Sequence, residues 1–176
     1  SNSTITKILA ATNTGDTTTN TTNTIASATL TSAQVLALGL VKGDVITTLV
    51  VTEANEGSTT IADAITIDAL QTAGLITNLT ITKVTGSASD VLASVASKAA
   101  AKEATTVEIS GFATADQASK FDTGGQTYKY EIQDTYQNLA EDSNVTGNVD
   151  HNAAIAAATK VTITDTSLTV EQQSSL

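Results

Sequence analysis

Residues 141–150, Glu-Asp-Ser-Asn-Val-Thr-Gly-Asn-Val-Asp, combine three carboxylates with asparagine, threonine and a turn glycine. Calcium takes about six to eight oxygens, and a loop of about twelve residues supplies them from alternate positions around a turn glycine. Counted from Asp142, the first, third and fifth positions are Asp142, Asn144 and Thr146. Gly147 falls at the sixth, Asn148 at the seventh and Asp150 at the ninth. The twelfth position, where a bidentate Glu normally stands, is Ala153. The expectation is therefore a partial calcium site with metal ligands Asp142, Asn144, Thr146, Asn148 and Asp150. Glu141 or a carboxylate from elsewhere in the fold would complete it. Two other readings stay open: a polar turn before a short helix, and a glycosylation sequon at Asn144, like those at Asn2, Asn20 and Asn78.

Other chemistry is sparse. His151 is the single histidine, and no Gly-x-Ser-x-Gly elbow presents a serine nucleophile to it. It reads as a solvated loop residue. The Thr123–Gln126 turn, Thr-Gly-Gly-Gln, lacks the lysine and spacing of a phosphate loop. Paired carboxylates can hydrolyse glycosides, but the chain offers only Phe112, Phe121, Tyr128, Tyr130 and Tyr136 as aromatic platforms. Tyr128 and Tyr130 alternate along one strand face, with Phe112 and Phe121 before them, which reads as a local core or a subunit contact. No residue set specifies a reaction, so the chain is read as not an enzyme.

Composition narrows the classes further. Cys, Met, Trp and Pro are absent and all eight basic residues are lysine, whereas threonine is roughly a fifth of the chain. Without cysteine there is no disulfide and no thiolate metal site. Without arginine there is no bidentate clamp for phosphate. A net charge of -10 opposes nucleic acid as a partner and favours the gathering of cations. No apolar run is long enough to span a bilayer, so no membrane insertion is expected.

Elements that could position these residues come in a repeat. Strands are expected at Val45–Ala54, Ile76–Thr85, Thr105–Phe112, Thr127–Tyr136 and Lys160–Ser167, from their β-branched content and alternation. Between them lie Ala-, Leu- and Ser-rich stretches of helical spacing, the clearest being Ser89–Ala104, with Val91, Val95 and Ala99 on one face. Each helix start pairs a hydroxyl with an acid or amide three residues on, a pattern at or near a capping box. The pairs are Thr31/Gln34, Thr60/Asp63, Ser87/Asp90, Thr114/Gln117 and Thr169/Gln172. Their steps are 29, 27, 27 and 55 residues, which leaves one start missing near residue 142. The fold class expected is α/β: strand–helix units of about 27–29 residues stacked like a solenoid. The alternative is an all-β sandwich of a filament subunit.

Residues 1–27 form a Thr/Asn-rich strand segment and loop, and residues 28–176 the strand–helix repeat domain. The tract before Ile25 has no apolar residue after Ala11, which suits an exposed loop. Its flanks suit a hairpin or an edge strand.

Val161–Gln172, VTITDTSLTVEQ, and Ala28–Leu38, ATLTSAQVLAL, resemble repeats of large type I-secreted bacterial surface proteins, the RTX-like adhesins and S-layer proteins. There a strand leads through Asp-Thr or Asp-Ser into Leu-Thr-x-x-Gln and an Ala/Leu helix. The resemblance implies a structural, self-associating domain at the cell surface, extracellular and calcium-associated, whose partners are other copies of itself. It implies no catalytic residue. The glycine-rich Asp nonapeptide array of RTX proteins is absent, so calcium does not carry over from that motif. The alternatives are a glycan- or ligand-binding adhesin module and an accessory domain of a secreted hydrolase.

Overall fold

The computed structural model describes residues 23–121, 124–140 and 151–169. Every strand expected between residues 45 and 167 is present. They are β2 (Asp44–Val51), β4 (Ile76–Gly86), β5 (Ala104–Ala113), β6 (Thr127–Asp134) and β7 (Lys160–Ile163). Two more join them: β1 (Asn23–Leu30) and the two-residue β3 (Thr59–Thr60). All pair parallel in one sheet of order β1-β2-β4-β5-β6-β7, with β3 also against β4. The segment before Leu30 is thus a parallel strand, and it runs across the expected boundary at residues 27 and 28.

Helices fill the connections. They are α1 (Ser32–Leu36), α2 (Ile61–Thr72), α3 (Ala88–Leu92), α4 (Val95–Lys102), α5 (Ala115–Ala118), α6 (Tyr136–Leu139) and α7 (Asn152–Ala157). The fold is α/β, and the helical layer rules out the all-β sandwich alternative. Thr31, Thr60, Ser87 and Thr114 each cap a helix as their spacing requires, with complete capping boxes at Thr31/Gln34 and Thr114/Gln117. The missing start lies at Thr135, earlier than residue 142, where Thr135 caps α6 through the Asn138 amide. Asn at the third helical position hid it from a search for Gln, Asp or Glu. At Thr169 the described residues form no helix, and Gln172 lies outside them.

Ser89–Ala104 is two helices rather than one. Ser94 adopts an extended backbone and caps α4 through the Ser97 amide, which restarts the helical phase. Val91 is consequently buried, whereas Val95 is 87% exposed, so the expected shared face does not form. A local side-chain cap has overridden the apolar periodicity.

The helices touch one another in one continuous layer: α1 on α2, α2 on α4, α4 on α3, α3 on α5 and α5 on α7. Strand residues supply much of the buried core, among them Leu30, Ile46, Leu49, Val51, Ile76, Leu79, Ile81, Val84, Val107, Ile109 and Ile132. Burial in β4 slips by one twice, between Ile76 and Leu79 and again between Ile81 and Val84. At the second slip its neighbour on one side changes from β2, which pairs up to Ile81, to β3, which pairs from Val84. At Gly86 a Cβ atom would come within 2.9 Å of the Ile61 side chain, so a close approach of β4 to α2 requires glycine there.

Parallel sheets are normally covered on both faces. Among the described residues no helix packs on the second face here, and its side chains stay largely exposed.

Candidate functional site

The expected metal ligands Asp142, Asn144, Thr146, Asn148 and Asp150 lie outside the described residues, as do Glu141 and the sequons at Asn2, Asn20 and Asn144. Among the described residues no group of three or more His, Asp or Glu side chains is placed to hold a metal. His151, expected in solvent, is 3% exposed. Its Nδ1 lies 2.9 Å from the Asn138 carbonyl oxygen, tying the start of α7 to α6, and its Nε2 has no hydrogen-bond partner among the described residues. Asn78, expected to be partly buried, is exposed in β4 and donates its side-chain amide to the Thr47 carbonyl (3.1 Å).

A second set of carboxylates was not singled out from the sequence. Each sits at or just past a strand end and accepts the first N–H of the helix that follows the preceding strand. Ser32 N–H donates to Glu53 Oε1 at 2.9 Å, and Ala115 N–H to Asp134 Oδ2 at 3.0 Å. Tyr136 N–H donates to Asp165 Oδ2. Parallel register explains the recurrence. Leu30 opposite Val51, Ala113 opposite Ile132 and Asp134 opposite Ile163 put the residue two places on against each helix start. An anion there meets an orphan amide and the positive end of the helix. The signal was available in the three strand ends Thr-Glu-Ala, Gln-Asp-Thr and Thr-Asp-Thr, each with an acid where alternation stops.

The three acids are not equally embedded. Burial raises the Glu53 pKa, but hydrogen bonds from Ser32 and from Thr59 outweigh it and hold the carboxyl below its ordinary value. Asp134, 7% exposed, accepts two further bonds on Oδ1, from Thr135 N–H (2.8 Å) and the Asn138 side-chain amide (2.6 Å). On the helical side, burial raises the pKa of Asp68 in α2. Glu103, which caps the end of α4, is raised first by burial and then by the Asp68 charge.

The uncovered sheet face has two parts. One is an array of small polar side chains in register: Ser27, Thr48 and Asn78 in one row, Thr29, Val50 and Thr80 in the next. Beyond them Thr52 and Thr82 hydroxyls meet in a short hydrogen bond. The other part is charged and interrupted. Glu108 pairs with Lys129 and Phe112 with Glu131, so Ile109, Ser110 and Gly111 together oppose Tyr130 alone. That bulge, with Gly111 at φ +77°, borders a hollow of about 340 Å³ lined by Glu108, Phe112, Lys129, Glu131 and Thr159.

The aromatic residues divide accordingly. Phe121 stacks on Tyr128 with ring centroids 4.9 Å apart and meets Tyr130 edge-on at 5.2 Å. Tyr130 donates its hydroxyl to the Ala154 carbonyl (2.7 Å). These three form the expected local core. Phe112 instead stands 51% exposed on the open face.

No protein-family model, no curated protein and no solved structure matches this chain.

Proposed function

We propose that this chain is a structural, self-associating domain of an extracellular bacterial surface protein, an S-layer, adhesin or filament component. Its strand–helix units stack as a solenoid, and calcium assists the association. The observation that carries this reading is the recurring carboxylate at a strand end that caps the helix of the unit before it. The device recurs at both ends of the sheet, between β2 and α1 and between β7 and α6. Chains built this way depend mainly on nearest-neighbour contacts and extend by adding units.

Association then proceeds by strand addition at the sheet ends. In β7, only four residues long, Val161 is 39% exposed, and open edges pair readily with another strand. The N-terminal Thr-rich segment supplies the intermolecular strand. Copies carrying a net charge of -10 repel one another, and divalent cations held by acidic side chains, those of residues 142–150 among them, offset that repulsion.

Electron microscopy and light scattering of the purified chain, first with calcium and then with EDTA, test the reading. Filaments or lattices that form with calcium and dissolve on chelation are expected. A monodisperse monomer indifferent to both would overturn it. Removing residues 1–22, which leaves β1 whole, is expected to abolish assembly, and unchanged assembly would exclude that segment as the joining strand.

A further inference from the structure

We propose that the hollow beside the β5 bulge is a binding subsite for a neutral pyranose ring, a function separate from self-association. Phe112 is the one exposed aromatic ring among the described residues, on a face otherwise dominated by small polar and charged side chains. The bulge puts it there beside Glu131, by inserting residues that oppose Tyr130 alone and by turning the chain at Gly111. Bulges of this kind re-aim side chains and concentrate near functional sites. A hollow of about 340 Å³ lies at the small end of ligand pockets, which suits one ring rather than an extended molecule.

Charge selects the ligand class. Glu108 and Glu131 contribute two carboxylates, and Lys129 stands beside both on the strand ladder. Lys83 Nζ lies 3.5 Å from Glu108 Oε2 and neutralises it. Lys160 stands opposite Glu131 in β7, so each acid is opposed by lysine and a cation has no electrostatic advantage, while both carboxylates remain available as acceptors. What remains is a supply of acceptors from the carboxylates, donors from Lys129 and an apolar ring face. A pyranose matches that set: its hydroxyls donate and accept, and its axial C–H face packs flat on an aromatic ring. An aliphatic ligand would leave the carboxylates and ammonium desolvated and unpaired.

Saturation-transfer NMR on the full chain tests the assignment, with glucose, galactose and N-acetylglucosamine as separate probes and spermidine as a cationic control. Transfer to the ring C–H protons of at least one sugar is expected, with a Kd of about millimolar. Phe112→Leu, which keeps apolar bulk without a ring, is expected to weaken it at least about tenfold, and Glu131→Gln to weaken it less. Thr80→Ala, on the uncharged part of the face, leaves binding unchanged. Amide spectra confirm that each variant is folded. Absence of transfer from all three sugars, equal binding by Phe112→Leu, or binding of spermidine alone would each overturn the proposal.

Discussion

On the open face of the sheet, β1, β2 and the first half of β4 present Ser27, Thr29, Thr48, Asn78 and Thr80 in unbroken register, with no charge among them. The second half of β4, β5 and β6 present Lys83, Glu108, Lys129 and Glu131 around a break in register and an exposed phenylalanine. The same backbone chemistry underlies both parts, so the difference is one of use. Threonine satisfies a strand that has water on one side and core on the other, and it does so wherever the chain repeats regularly. Glycine, phenylalanine and paired charges at the bulge add nothing to that task. The regular part suffices as scaffold, and the interruption is where the proposed sugar subsite lies.

One large effect that would break this comparison lies in the caps beneath the two parts. Asp134→Ala removes the acceptor of three hydrogen bonds from a site 7% exposed. Orphaned buried donors make a loss of about 3 kcal/mol the expectation in urea denaturation. Glu53→Ala, at the equivalent position of the regular part, is expected to cost about 1 kcal/mol, as an ordinary cap does. Equal losses would mean that the irregular end is no more tightly tied than the regular one.

Acid separates the acids by sign. Glu53 has a lowered folded pKa, so its contribution is complete above the ordinary value of 4.5 and is lost as pH falls through the folded value. Asp68 and Glu103 have raised pKa values: their ionised forms penalise the fold, and the penalty disappears as pH falls through those values. Glu53→Gln is therefore expected to destabilise by about 1 kcal/mol at neutral pH and by progressively less in acid. Asp68→Asn is expected to stabilise slightly at neutral pH, with the gain vanishing in acid. Thermal unfolding across pH 3–7 measures both, and the same sign for the two variants would refute the assignment.

Strands β2 and β4 to β7 were readable in the sequence because β-branched content and alternation are local signals. Four of five helix starts were readable for a similar reason, since a cap is a local hydrogen bond between residues three apart. What could not be read depended on register. Glu53 and Asp165 cap helices 21 and 29 residues away, a relation set only when parallel strands align. His151 follows the same rule: nothing adjacent to it in sequence says that its imidazole will pack behind α6. The break at Ser94 was local, yet a strong Ala-rich helical pattern masked it. The expected calcium loop has the opposite standing, with a sequence pattern at residues that lie outside those described.

The smallest expected effect sharpens the comparison most. Phe112 is half exposed and packs on the open face, so its removal gives up little buried area. Phe112→Ala is expected to change stability by no more than about 0.5 kcal/mol, the range of an ordinary surface substitution. Phe121, 6% exposed and packed against two tyrosines, belongs to the core, where Phe→Ala costs about 3–5 kcal/mol. Urea denaturation of the two variants places both side chains on one scale. A loss above about 1 kcal/mol for Phe112→Ala would make this ring part of the scaffold, since a side chain kept for recognition leaves the fold unchanged when it is removed.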